Sequence, residues 1–236
     1  MVFGRVIATL LGAALHMPAS GAELPHEPRR NEARVDTVVT AYYFHGVPYG
    51  VARDLGPDAV PRLAKFLGDE GMKSHWKNTV QILNYAGTPA SFPILHDFIM
   101  DRFKGEIDQE TYAAISAAIV TMGPLARISH QAFQFLTDGA DPKSWASVRW
   151  KFRDSKSEER DIQLSRNCIN ALGSSGMEEA DRTLTELVRT SAQNRYWARL
   201  HDIVEEAITF NRDVMKEGFD NHRKRRDESR GGKKRT

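Results

Sequence analysis

Eight histidines and one cysteine are the side chains most able to do metal or nucleophilic chemistry in this 236-residue chain. Their spacing argues against both. His45, His75, His96, His130 and His201 fall in separate segments, with no His pair at i, i+4, and a single Cys cannot build a thiolate zinc site. Cys168 lies in an apolar-periodic segment between Asn167 and Ile169, where a thiol behaves as a small buried hydrophobe. The run Gly173-Ser174-Ser175-Gly176 could bare a serine, but its place between two helical segments makes it an interhelical turn. There is no phosphate-cradling Gly-rich loop followed by Lys-Ser/Thr and no Gly-x-Ser-x-Gly turn. The expectation is a protein without catalytic residues, metal or cofactor.

Binding chemistry is better represented. In residues 138–153, aromatic rings alternate with bases, and Trp145, Arg149, Trp150, Lys151 and Arg153 are candidates for contacting a partner, since cations and stacking faces come together there. Two conformations fit. Asp141 as cap with Pro142 in the first turn would start a helix that groups Trp145, Val148 and Phe152; alternation of Val148, Trp150 and Phe152 with Arg149, Lys151 and Arg153 suits a strand. The competing reading is that the rings cover a neighbouring apolar face while the bases stay in water. A second candidate is the basic C-terminus, in which Arg223, Lys224, Arg225, Arg226, Lys233, Lys234 and Arg235 could hold an anionic surface. With almost no apolar residue, residues 219–236 are expected to be disordered. Tyr42, Tyr43, Phe44 and Tyr49 crowd a turn containing Gly46 and Pro48, and are expected to cap an open end of the fold.

The elements that must position these groups are helices. Gly56, Gly87, Gly123 and Gly176 each precede a short polar or Pro-containing turn and then a run of helically spaced apolar residues. Each Gly, in the left-handed conformation, would close one helix before the next opens. Front helices are expected over about 58–67, 89–104, 124–137 and 177–190, and back helices over about 73–86, 108–122, 159–172 and 194–216. The segment 113–120 is small and apolar almost all round, which suits a central helix.

The recurring Gly-x-x-x-Ala, clearest in Ala171-Leu172-Gly173 and Gly176-Met177-Glu178-Glu179-Ala180, resembles the HEAT or HEAT-like (bilin-lyase-type) repeat. The resemblance covers about residues 52–218 and implies an all-α fold: an α-α superhelix, or solenoid, of about four helix pairs with an insertion in the third repeat. The HEAT-like family includes di-iron hydroxylases whose inner helices carry His-Glu dipeptides; here the only His-Glu is His26-Glu27, ahead of the repeats. What the resemblance implies is therefore a protein-binding scaffold or adaptor with a protein or peptide partner. The alternatives are an enzyme or maturation factor with an active groove on the solenoid, and an envelope-associated protein held by its basic tail.

Composition sets the remaining bounds. With 41% hydrophobic and 27% charged residues the chain can bury a core, and a mean hydropathy of −0.48 without an apolar run of about 18 residues excludes a multi-span membrane protein. Residues 6–17 hold nine apolar residues in twelve behind Arg5, and reach only about 18 Å as a helix. Pro18 and the small residues Ala19-Ser20-Gly21-Ala22 follow, so residues 1–22 read as a signal peptide cut after Ala22. The expected product is a bacterial periplasmic or secreted protein, with residues 23–51 as leader and cap, no transmembrane segment after processing, and no call for nucleic acid as a partner. The formal net charge of +2 divides unevenly: residues 222–236 carry +6 and residues 23–221 carry −5. The body is acidic and its tail basic.

Overall fold

A computed structural model describes residues 28–153, 155–190 and 196–231. The expected signal segment 1–22 and its cut after Ala22 lie outside the described residues, as do Lys233, Lys234 and Arg235. The architecture is all-α. In chain order it runs α1 (Pro28–Thr40), α2 (Tyr49–Arg53), α3 (Val60–Gly68), α4 (Trp76–Tyr85), α5 (Ser91–Met100), β1 (Gly105–Ile107), α6 (Gln109–Val120), α7 (Gly123–Ala126), α8 (His130–Gly139), β2 (Trp150–Phe152), α9 (Ser157–Gly173), α10 (Glu178–Thr190), α11 (His201–Glu217) and α12 (Phe219–Gly231). None of the described helices is long and apolar enough to cross a membrane.

Two rows of helices follow from the apolar spacing. The inner row is α4, α6, α9 and α11, each packed on the next; α3, α5, α8 and α10 lie outside, against α4, α6, α9 and α11 respectively. They fall largely within the segments read as back and front helices, the last back helix beginning at His201 rather than near 194. The core runs along the inner row: Trp76, Val80 and Leu83 of α4, Ala114, Ile115, Ala118 and Ile119 of α6, and Cys168, Ile169 and Leu172 of α9 are all buried. Asp108 caps α6 by accepting the Thr111 amide at 2.9 Å, and that bond, with Lys73 beside it, lowers its pKa to about 2.

The glycine turns divide. Gly56 and Gly176 take the left-handed conformation, but Gly87 and Gly123 do not. A Cβ at Gly123 would stand 2.6 Å from the Ala171 carbonyl oxygen, so close approach to the end of α9 is what calls for glycine there. The expected single helix over 124–137 is two, α7 and α8, parted where Ser129 turns extended and its hydroxyl accepts the Ala132 amide. The expected leader is also shorter, because α1 buries Val35 and Val39 and begins at Pro28.

The insertion keeps the Asp141 cap but not the helix through Phe152, and the strand reading holds for residues 150–152. Asp141 caps a 3-10 turn at Pro142–Trp145, and β2 then pairs in parallel with β1, Trp150 against Gly105. Arg160 of α9 holds the segment from below, donating to the carbonyls of Val148 (3.2 Å), Trp150 (2.6 Å) and Trp145 (3.3 Å) and pairing with Asp161 at 2.7 Å. Trp145 and Trp150 are buried, their indole N–H groups donating to Gly139 O at 2.8 Å and Ile99 O at 2.9 Å. The expectation that these two rings contact a partner is therefore corrected. They are core, because one face of a two-stranded ribbon must be covered by the helices beneath it. Arg149, Lys151 and Arg153 remain exposed, near Asp101, Glu106 and Gln109 respectively.

Candidate functional site

The expected disorder of residues 219–236 does not hold for residues 219–231, which form α12. The reason lies at its root and in what it rests on. Gly218 takes φ +85°, ψ 134°, so α11 ends and the chain turns back across the molecule. Beyond the turn, Glu217 clasps α12: its carboxylate accepts Arg225 at 2.7 and 2.8 Å and contacts His222 Nδ1 at 2.9 Å. Arg225, and after it His222, pull the Glu217 pKa down to about 2. Phe210 stands edge-on to the His222 ring, 5.2 Å between centroids.

From there α12 runs from α11 to α2, passing the carboxyl-terminal ends of α4, α6 and α9. Helix carboxyl ends carry partial negative charge, which suits a basic helix that would otherwise be repelled by its own charges. Beside His222, which is buried against Phe210, three side chains at i, i+4 and i+8 reach α2, Arg127 and the end of α9. The Phe219 ring stands edge-on to Tyr49 at 5.7 Å, with the Arg127 guanidinium over it at 4.5 Å. Arg223, buried, donates to the Ser174 carbonyl at 3.2 Å and lies 5.9 Å from the Tyr49 ring. Asp227 accepts the amides of Tyr49 and Gly50, at 3.3 and 3.0 Å. Arg53 and Asp220 add an exposed ion pair at 3.1 Å.

The helix leaves a depression on either side. One, of about 610 Å³, is lined by Tyr49, Arg53, Tyr85, Arg127 and Phe219. The other, of about 390 Å³, is lined by His45, Gln81, Asn170, Ser174, Arg223 and Arg226. Tyr85 borders both. The expected aromatic cap is split by this arrangement: Tyr49 joins the groove and Val47 is buried, its amide held by Gln81 at 2.8 Å, whereas Tyr42 and Phe44 are 87% and 79% exposed. Of the expected anionic-surface residues, Arg223 is corrected. Arg223 is turned inward, Arg225 is bound to Glu217 and Arg226 is half-buried, while Lys224 is exposed.

Elsewhere the reactive groups are quiet. Burial pushes the Cys168 thiol far up, so it carries no thiolate. Ser174 and Ser175 both donate their hydroxyls to the turn before them, to Ala171 O at 3.0 Å and Leu172 O at 2.7 Å. One group of metal-type side chains occurs among the described residues: His201, Asp202 and Glu205, with ligand atoms within 4.8 Å of one another on the exposed first turn of α11. The spacing His-Asp-x-x-Glu, which places three side chains on one turn, was the signal for it in the sequence.

No protein-family model, curated protein or solved structure matches this chain.

Proposed function

We propose that the protein is a non-catalytic scaffold or adaptor of the HEAT-like, solenoid type, exported to the periplasm, that binds a protein or peptide in the groove that α12 lies across. The observation that carries this reading is the wall of the larger depression. Tyr49 and Tyr85 supply rings, Arg53 and Arg127 supply guanidinium groups, the ends of α2 and α4, with α7, bring them together, and Phe219 of α12 is seated among them. Aromatic and Arg side chains around a concavity are the mixture that dominates peptide and protein recognition. The inner-row helices support the same reading, because stacked helix pairs present one continuous face. The test is a photo-crosslinking residue placed at Tyr85 or Arg53 of the full chain in cells. A discrete adduct is expected from these positions and none from Glu179 on α10; no adduct from either groove position would overturn the reading. Fractionation of the same cells, with N-terminal sequencing expected to begin at Glu23, tests the export.

A further inference from the structure

We infer that the groove is a receptor for a helix bearing an aromatic ring, an arginine and a carboxylate at successive four-residue steps, and that α12 is its built-in occupant, displaceable by a partner segment of that chemistry. The inference rests on the peptide-binding reading above and names the ligand and its regulation.

Three sockets, built from α2, α9 and the end of α7, read three kinds of side chain on one face of one helix. The first takes a ring between an edge-on tyrosine and a guanidinium, Tyr49 and Arg127. The second takes a guanidinium against the carboxyl-terminal carbonyl of α9 at Ser174, where the helix end favours a cation. The third takes a carboxylate on the amides of Tyr49 and Gly50. An acidic partner helix would fit the third socket alone, and an apolar one only the first. The basic charge of α12 is thus selective rather than incidental, given the −5 carried by residues 23–221.

The attachment is suited to release. A single residue, Gly218, joins α12 to α11, and its left-handed conformation is what aims α12 into the groove. Few large apolar side chains accompany the docking: Phe219 is the only one in α12. Tethering strengthens these few contacts, since a segment joined by a short connection acts at an effective concentration on the order of mM. A partner helix with the same stripe competes against that figure, and any event that weakens the Glu217 clasp shifts the balance in its favour.

The experiment uses the full chain and a fluorescent peptide of residues 219–231, read by anisotropy. Phe219→Ala with Asp227→Ala is expected to free the groove and bind the peptide at least tenfold more tightly than the wild-type chain. The Arg223→Ala peptide is expected to lose at least tenfold on the same variant. A second full-chain variant, Gly50→Cys with Asp227→Cys, should refuse the peptide when oxidised and accept it on reduction; the two positions are neighbours, since the Asp227 carboxylate accepts the Gly50 amide at 3.0 Å. Hydrogen exchange on each variant establishes that residues 219–231 are released while α4, α6 and α9 stay protected. Release without peptide binding, or equal binding of the Arg223→Ala peptide, overturns the inference. So does an opened chain that only exchanges α12 with a second copy. Groove crosslinks persisting in the wild-type chain after such a failure would leave the peptide-binding reading standing by itself.

Discussion

Asp227 accepts the backbone amide of Gly50 at 3.0 Å and so ties the last described helix to one of the first, across 177 positions of sequence. A charge-assisted bond of this kind is worth about 1.5–3 kcal/mol when buried and less here, where Asp227 is half-buried. Asp227→Ala is expected to lower the global stability by about 1 kcal/mol, because α12 can leave without unfolding the two rows. Its local effect should be larger. Hydrogen exchange in residues 219–231 should rise about tenfold while the inner row is unchanged; an unchanged rate in α12 would show that the bond does not hold it.

Acid should release the same helix through Glu217. Its pKa is depressed from 4.5 to about 2 in the folded protein by Arg225 and His222. A depressed carboxyl contributes stability above its unfolded value and loses it as pH falls through the folded one, so docking should weaken between about pH 4.5 and pH 2. Asp108 titrates in the same window, from 3.8 to about 2, but acts on α6. Glu217→Gln separates the two. It should loosen α12 already at neutral pH and reduce the acid dependence of its exchange, corrected for the intrinsic rate, the remainder passing through the Asp227 and Asp220 carboxylates, while leaving the acid response of α6 in place.

Local rules made much of the fold legible and failed where distant contacts decide. The small apolar residues of 113–120 place α6 to within two residues of the expected 108–122, since such a pattern acts within one or two turns. Residues 138–153 were readable as helix or strand, and their rings either as partner contacts or as cover for an apolar face, but local spacing could not choose between these. Whether Trp150 faces a partner or the interior depends on Arg160 and on Ile99, 51 residues away, which no period encodes. The tail shows the limit most clearly. Its composition satisfies every rule for disorder, and its order comes from Ser174, Tyr49 and Gly50, which lie 49, 178 and 177 residues from their partners.

Arg160 makes a separate prediction about the insertion. Its guanidinium is 7% exposed and satisfies three main-chain carbonyls along with Asp161. Arg160→Ala strands those acceptors and leaves Asp161 without its cation, which is expected to cost about 3–5 kcal/mol in chemical denaturation. Trp150→Ala should cost about the same by leaving a cavity. Arg149→Ala and Lys151→Ala, on the open side of the same strand, should each stay within about 0.5 kcal/mol. Equal losses from the inward and outward residues would contradict the assignment of the rings to the core.

The contact of α9 with α11 gives the strictest test of the inner row. A Cβ at Gly173 would stand 2.9 Å from the Cα, Cβ and carbonyl oxygen of Ala207, closer than real side chains approach, and two of those three atoms are backbone. No rotamer change relieves such a clash, so Gly173→Ala must push the helices apart, at a cost of about 1–3 kcal/mol. Ala207→Gly in the same chain removes one of the three clashing atoms and should restore part of the loss, but not all of it, because the Cα and carbonyl oxygen remain. Displacing α11 also moves Glu217 at its far end, so Gly173→Ala should raise hydrogen exchange in residues 219–231 more than in α3 or α5. A fully neutral Gly173→Ala, or complete rescue by Ala207→Gly, would mean that α9 and α11 do not meet backbone to backbone.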